Sequence, residues 1–403
     1  MKDRAASLWR NRDFLIVWLG QSVSMFGTRV SYIAWIWWVL DRTDSATATA
    51  AIGIAAALPS FILGPFAGAI VDRYDRRKVM RTMDLINAIL YAAAAAMMFS
   101  GALRVWHVYL FAALSAVATA FHRPALRSSI PNLVTNDQLT MANSFYQISR
   151  GVCGFIGLLL GGILVGWIGE APTLLLDGAT FALAGLSLSW VSFASPRMET
   201  VARFKTVLAD TLSGLRFLFS RRTLFYLILL YGLVNFLLAP MGTLFSILSK
   251  DFFGTGPEGF GMLNAAVSAG LLVGGFVAAG LRRLRKHGWV ILCSLALLGA
   301  MLTLFGLSKS LYVSMGLLAI LGIAVANANV FQAVIFQTHV PNELQGRVFA
   351  AQFAVSEGLQ PISLALIGAV LAVASIPTVL VISGTAIVLA TVGGLTFGKL
   401  TEL

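Results

Sequence analysis

Apolar residues run through this chain in long blocks, not in strict alternation. About twelve blocks stand out, near residues 14–40, 45–71, 79–100, 105–126, 140–168, 172–194, 223–249, 258–281, 289–308, 311–336, 348–373 and 376–398. Each approaches or exceeds the ~20 residues an α-helix needs to cross the hydrocarbon of a bilayer. Several are longer than a perpendicular crossing requires, so tilt or extension past the bilayer is expected. The pattern predicts an all-α polytopic membrane protein of twelve transmembrane helices. The segment behind the basic N-terminus MKDRAASLWRNRDF is too long for a signal-peptide core and reads as an uncleaved first span.

Composition supports this reading: 58% of residues are hydrophobic and 11% are charged. The net charge of +12 could suggest a nucleic-acid partner, but its distribution argues otherwise. Assigned to alternating sides of the spans, Lys and Arg crowd onto one side. The opposite side takes only Arg42, Arg104, Lys250 and Lys309, and Arg29 and Arg150 fall inside spans. Cytoplasmic loops are the Lys/Arg-rich ones, so both termini are expected in the cytoplasm, in contact with anionic lipid and without nucleic acid. Cys153 and Cys293 lie far apart in separate apolar runs, and the four histidines are scattered, so no disulfide framework or metal site is expected.

The chain also repeats itself at an offset of 210 residues. RNRDF at 10–14 aligns with SRRTL at 220–224, GPFAGAIVDRYDRRK at 64–78 with GGFVAAGLRRLRKHG at 274–288, and Ile130–Pro131–Asn132 with Val340–Pro341–Asn342. Landmarks sharing one offset indicate duplication. Two six-helix halves of parallel topology are expected, 1–194 and 223–403, joined by a linker at 195–222. Within the linker Phe204, Val207, Leu208, Leu212, Leu215, Phe217 and Leu218 recur near helical spacing, predicting an amphipathic helix on the cytoplasmic surface.

The stretch between spans 2 and 3 reads Gly68-A-I-V-Asp72-Arg73-Tyr74-Asp75-Arg76-Arg77-Lys78. It resembles the signature of the major facilitator superfamily, with Asp75 where glycine is usual. The DR-x-DRR variant, with PNLVTNDQLTMANS at 131–144 and PNELQGRVFA at 341–350, is similar to the branch of macrolide effluxers and enterobactin-type siderophore exporters. The resemblance covers essentially the whole chain. It implies alternating access around a cavity near the midplane, with Asp72 latching the cytoplasmic side against span 11, near Arg347. Gly64 and Gly68 form a GxxxG pair expected to admit a neighbouring helix. Gly68, Arg73, Arg76 and Arg77 are expected to belong to the gate motif with Asp72 and Arg347, and Arg76, Arg77 and Lys78 mostly to orient the chain as solvated loop charges.

Intramembrane charge costs roughly 2.5–3.5 kcal/mol at a helix centre, so each instance is a functional candidate. Glu357 lies deep in span 11 beside a polar stripe of Gln352, Ser356, Gln360 and Ser363, and is the expected proton carrier. Arg29 is mid-span, with Gln21, Met25, Thr28 and Tyr32 on its broad face; it could bind an anion or balance Glu357. Asn143, Gln147 and Arg150 begin a stripe on span 5 that continues as Gly154, Gly157 and Gly161, with Gly162 beside it. The segment resembles the family's antiporter motif with its proline missing, and the glycines would let span 5 pack closely on a neighbour. Arg29, Tyr32, Gln147, Arg150, Asn235, Gln332 and Gln360 are the expected cavity residues. Asp84 and Asp177 are expected to be structural, and Trp35, Trp37 and Trp38 to form an aromatic belt.

Gly254-Thr-Gly256-Pro-Glu-Gly259 matches GxGxxG but follows a membrane span, and reads as a turn. There is no P-loop and no nucleophile–base set, so neither ATP drive nor enzymatic activity is expected. The function expected is secondary active export of an amphipathic small molecule, drug-like or siderophore-like. It would be powered by a proton gradient without a bound cofactor, by a monomer in the inner or plasma membrane. A lysophospholipid-type amphiphile transporter and a small-molecule importer are the alternatives.

Overall fold

The computed structural model describes residues 8–71, 74–135, 138–191, 216–281, 286–341, 344, 348, 352, 355 and 358–396. Every described element is helical. The chain divides into two compact units, Met1–Asp44 with Ala51–Arg203, and Ser45–Ala50 with Phe204–Leu403.

The first unit holds α1 (Arg12–Thr43), α3 (Arg76–Phe99), α4 (Val105–Leu133), α5 (Leu139–Ile168) and α6 (Glu170–Ser187), and most of α2 (Ala46–Val71). The Asn11 side chain starts α1 by accepting from the Phe14 N–H, while its amide donates to the Leu133 carbonyl at 2.6 Å. One side chain thus caps one helix and ties down the end of another. Asp75 caps α3 in the same way, accepting from the Arg77 and Lys78 N–H groups. That gives the residue standing where the motif usually has glycine a physical job. At this end Phe14, Val17, Met80, Ile130, Tyr146 and Leu188 pack into one core.

α1 and α5 run parallel. Ser149 meets Trp18 and Ser22, Cys153 meets the Ser22 carbonyl, Gly157 meets Phe26 and Arg29, and Gly161 meets Val30 and Ile33. A Cβ on Gly157 would lie 2.7 Å from the Arg29 Cβ, and one on Gly161 2.9 Å from the Val30 Cα. These glycines are the reason the two backbones approach so closely. Gly154 and Gly162 are buried on the same helix. Gly64 is different: among the described residues, nothing lies within 4 Å of where its Cβ would be. The spacing of Gly64 and Gly68 therefore marked a close helix approach that Gly64 does not make among the described residues.

Trp35 and Trp38 are 7% and 3% exposed, so these two are core residues, not members of an aromatic belt. Trp35 stacks on Phe111 and tilts against Tyr91, and the Arg42 guanidinium sits over Trp38. Their run of neighbours at the end of α1 is buried on nearly every face, which the linear pattern could not reveal.

The second unit holds α7 (Arg222–Leu238), α8 (Met241–Ile247), a π-helical turn (Leu248–Phe252), α9 (Gly256–Leu281), α10 (His287–Leu307), α11 (Leu311–His339), α12 (Gln360–Leu371) and α13 (Ile376–Thr396). Its crossings are apolar and glycine-lined. Gly270 and Gly322 bring α9 onto α11, and Gly299 and Gly384 bring α10 onto α13. The pairing of α10 with α13 matches that of α3 with α6 in the first unit, where Gly178 and Gly185 make the contact. Residues 216–220 are helical, and the rest of the expected linker helix lies outside the described residues.

Among the described residues, ten helices are long and apolar enough to cross a membrane. Many of their large apolar side chains point outward, Ile89, Leu183, Phe276 and Leu389 among them, as contact with lipid tails requires. α1 is 32 residues long and is interrupted by polar side chains, and α12 is 12 residues long.

Candidate functional site

Two polar features stand out within the first unit, on different faces of α1. Gln21, Ser24, Gly27 and Ser31 follow one another at three- and four-residue spacing and are all buried. Against this face lie two carboxylates that are 1% and 0% exposed, Asp84 on α3 and Asp177 on α6. The Gln21 amide donates to Asp84 Oδ2 at 2.9 Å. His122 on α4 brings Nε2 to 3.2 Å from Asp84 Oδ1, without hydrogen-bond alignment. The Ser31 hydroxyl donates to Asp177 Oδ2, and the Thr180 hydroxyl lies 3.0 Å from Oδ1.

Gly27 makes this seam possible. A Cβ there would overlap Thr180 Oγ1 and Asp177 Oδ1. Tyr91 packs beside this network, its ring against Trp35 and Phe181. Buried carboxylates need partners of this kind, because leaving their oxygens unbonded in a low-dielectric interior is costly. The expected structural role of Asp84 and Asp177 is consistent with this geometry. Their partners were harder to find from sequence: Gln21 lies on the buried face, although the helical pattern grouped it with Arg29. The repeat of small and polar residues at 21, 24, 27 and 31 is the signal that could have separated the two faces.

Arg29 and Arg150 form the second feature. Each lies near the midpoint of its helix, and both are exposed. The register through Gly157 puts the two guanidiniums within range of each other's field, with Tyr32 and Cys153 beside Arg29. Arg150 Nη1 donates to Gln147 Oε1 at 3.3 Å. Among the described residues, no carboxylate pairs with either arginine. The structure thus brings Arg29, Tyr32, Gln147 and Arg150 into one neighbourhood.

The second-unit candidates are less exposed. The Asn235 amide donates to the Tyr231 carbonyl of its own helix. Gln332 is 4% exposed and accepts from Gln352 at 3.2 Å, with its own amide nitrogen unpartnered among the described residues. Gln360 is half-buried at the start of α12.

The gate motif divides. Arg76 is buried, not a solvated loop charge, and its guanidinium donates to the Ser128 carbonyl at 2.8 Å. Arg77 reaches the Val191 carbonyl at 2.6 Å. Both satisfy carbonyls at the ends of neighbouring helices, where a cation is favourable. Gly68 falls within α2. Asp72, Arg73, Arg347 and Glu357 lie outside the described residues.

The fold matches solved transporters along nearly its whole length. The TM-score is 0.77 to a bacterial homologue of the iron transporter ferroportin in an inward-facing state, at 15% identity over 96% of this chain and 99% of that one. It is 0.75 to a POT family transporter bound to a thioalcohol-conjugated peptide, at 12% identity over 97% of each chain. These likenesses show a fold shared with those transporters. The family model described as transmembrane secretion effector matches residues 5–402, and the chain belongs to that family. It is 26% identical to macrolide efflux protein A of Streptococcus pyogenes over 88% of both chains. It is 25% identical to the multidrug efflux pump Tap of Mycolicibacterium fortuitum over 85% of both. Family and fold are those of multi-pass membrane transporters, not of enzymes.

Proposed function

We propose that the chain is a secondary active transporter exporting an amphipathic small molecule by alternating access, driven by the proton gradient. The observation that carries this is the end-to-end match to a family whose relatives are named for macrolide and multidrug efflux. Two six-helix halves with both termini in the cytoplasm, working as a monomer in the cell membrane, complete the proposal. α1 and α12 would supply the crossings beyond the ten that length and composition identify. Glu357 is proposed as the proton carrier because it is a carboxyl deep in an apolar run. The gate role of Asp72, Arg73 and Arg347 rests on the sequence motif.

Accumulation of probes in pump-deficient cells tests this reading. The panel is erythromycin, ethidium and 11-(dansylamino)undecanoate. Expression should lower accumulation of at least one probe several-fold, a protonophore should abolish the difference, and Glu357→Gln should lose most of it. Equal accumulation of every probe with and without the protein would contradict export.

A further inference from the structure

We infer that Arg29 and Arg150 form an oxyanion-binding subsite, so that the transported amphiphile carries a carboxylate or phosphate-type group. This deepens the export reading and rests on it for the word transported; the binding site itself does not.

Three observations converge. First, both arginines sit near the midpoints of long helices, where an uncompensated charge is most costly. Second, compensation from their own unit is excluded among the described residues. Asp84 is engaged by Gln21 and His122, and Asp177 by Ser31 and Thr180, and both carboxylates are buried on a different face of α1. Third, the two cations sit on helices that pack directly against each other, near enough for each charge to act on the other. Gly157 seats α5 directly on the Arg29 stem, and Arg150 lies seven residues earlier on the same helix, an axial offset of about 10 Å. Gln147 fixes one arm of Arg150 and leaves the remaining donors available.

Like charges within range of each other raise each other's cost unless an anion sits between or beside them. Arginine forks suit carboxylate and phosphate oxygens, and both guanidiniums are exposed to receive them. Tyr32 and Phe26 offer aromatic surface on α1 within a turn of Arg29, which suits the apolar part of such a ligand.

The test measures binding, not transport. The purified protein is placed in phosphatidylcholine nanodiscs. The dissociation constant of 11-(dansylamino)undecanoate is compared with that of its methyl ester, which has the same body without the charge. The wild type should bind the acid at least ten-fold more tightly, and 0.5 M salt should shrink the difference. R29Q/R150Q should bring the two constants to within about two-fold. R29K/R150K, which keeps both charges and guards against a folding defect, should retain a preference of three-fold or more. Equal binding of acid and ester by the wild type, or a full preference in R29Q/R150Q, would overturn the proposal. The discs are then doped with about 30% phosphatidylglycerol. A persistent preference supports a substrate site, whereas its loss means that the arginines hold bilayer lipid and the substrate assignment falls. A failure of export in cells with the binding preference intact would remove the transport reading alone.

Discussion

Asp177 is a fully buried carboxyl group whose described side-chain partners are hydroxyls, Ser31 and Thr180. The Thr180 hydroxyl also lies 2.8 Å from the Asp177 carbonyl. If it donates there, a protonated Asp177 can donate back to it, and every polar atom is satisfied without a cation. Asparagine keeps the shape and a donor at this position, whereas alanine removes both and leaves a cavity. Asp177→Ala should therefore destabilise the protein by roughly 2–3 kcal/mol, and Asp177→Asn by under about 1 kcal/mol. Melting of the detergent-solubilised variants checks the order; a worse outcome for asparagine would mean that the native group is ionised. Gly27 faces the same atoms, so Gly27→Val should lower the melting temperature more than Val23→Leu at the exposed position one turn away.

At the scale of elements, the contact between α1 and α5 depends on Gly157 and Gly161. Gly157→Ala pushes a methyl group towards the Arg29 Cβ and the Phe26 carbonyl. It should cost about 1–3 kcal/mol by over-packing and weaken anion binding by moving Arg29. Parallel measurement of melting and of the dansyl-acid affinity checks both effects. Arg76→Ala would remove the shorter of two side-chain donors to the Ser128 carbonyl, the other being the Asn132 amide, and should cost about 1–3 kcal/mol, more than the exposed Lys78→Ala.

The elements themselves were legible because a membrane span announces itself by length. The apolar run at 258–281 became a helix at Gly256–Leu281, and that at 376–398 one at Ile376–Thr396. Which faces meet was not legible. Gly64 and Gly157 look alike in sequence, yet only Gly157 has a neighbour against it among the described residues. Arg76 read as a loop charge because its acceptor, the Ser128 carbonyl, lies 52 residues away. Arg29 and Gln21 read as one broad face, although eight residues leave them about 80° apart around the helix.

At the scale of the whole molecule, the first unit concentrates buried carboxylates, a histidine and an exposed arginine pair. The crossings described in the second unit are lined by glycine and apolar side chains. One helix pairing recurs in both units while the polar chemistry differs: Ser294 stands 210 residues after Asp84. Proton-driven export is tested most directly in proteoliposomes with an imposed pH gradient, following 11-(dansylamino)undecanoate and erythromycin. Wild-type protein should drive at least one probe against its gradient, opposite to the proton flow, and stop when the gradient is collapsed, while Glu357→Gln should equilibrate the probe without accumulating it. Accumulation by Glu357→Gln at the wild-type rate, or wild-type transport indifferent to the pH gradient, would contradict it.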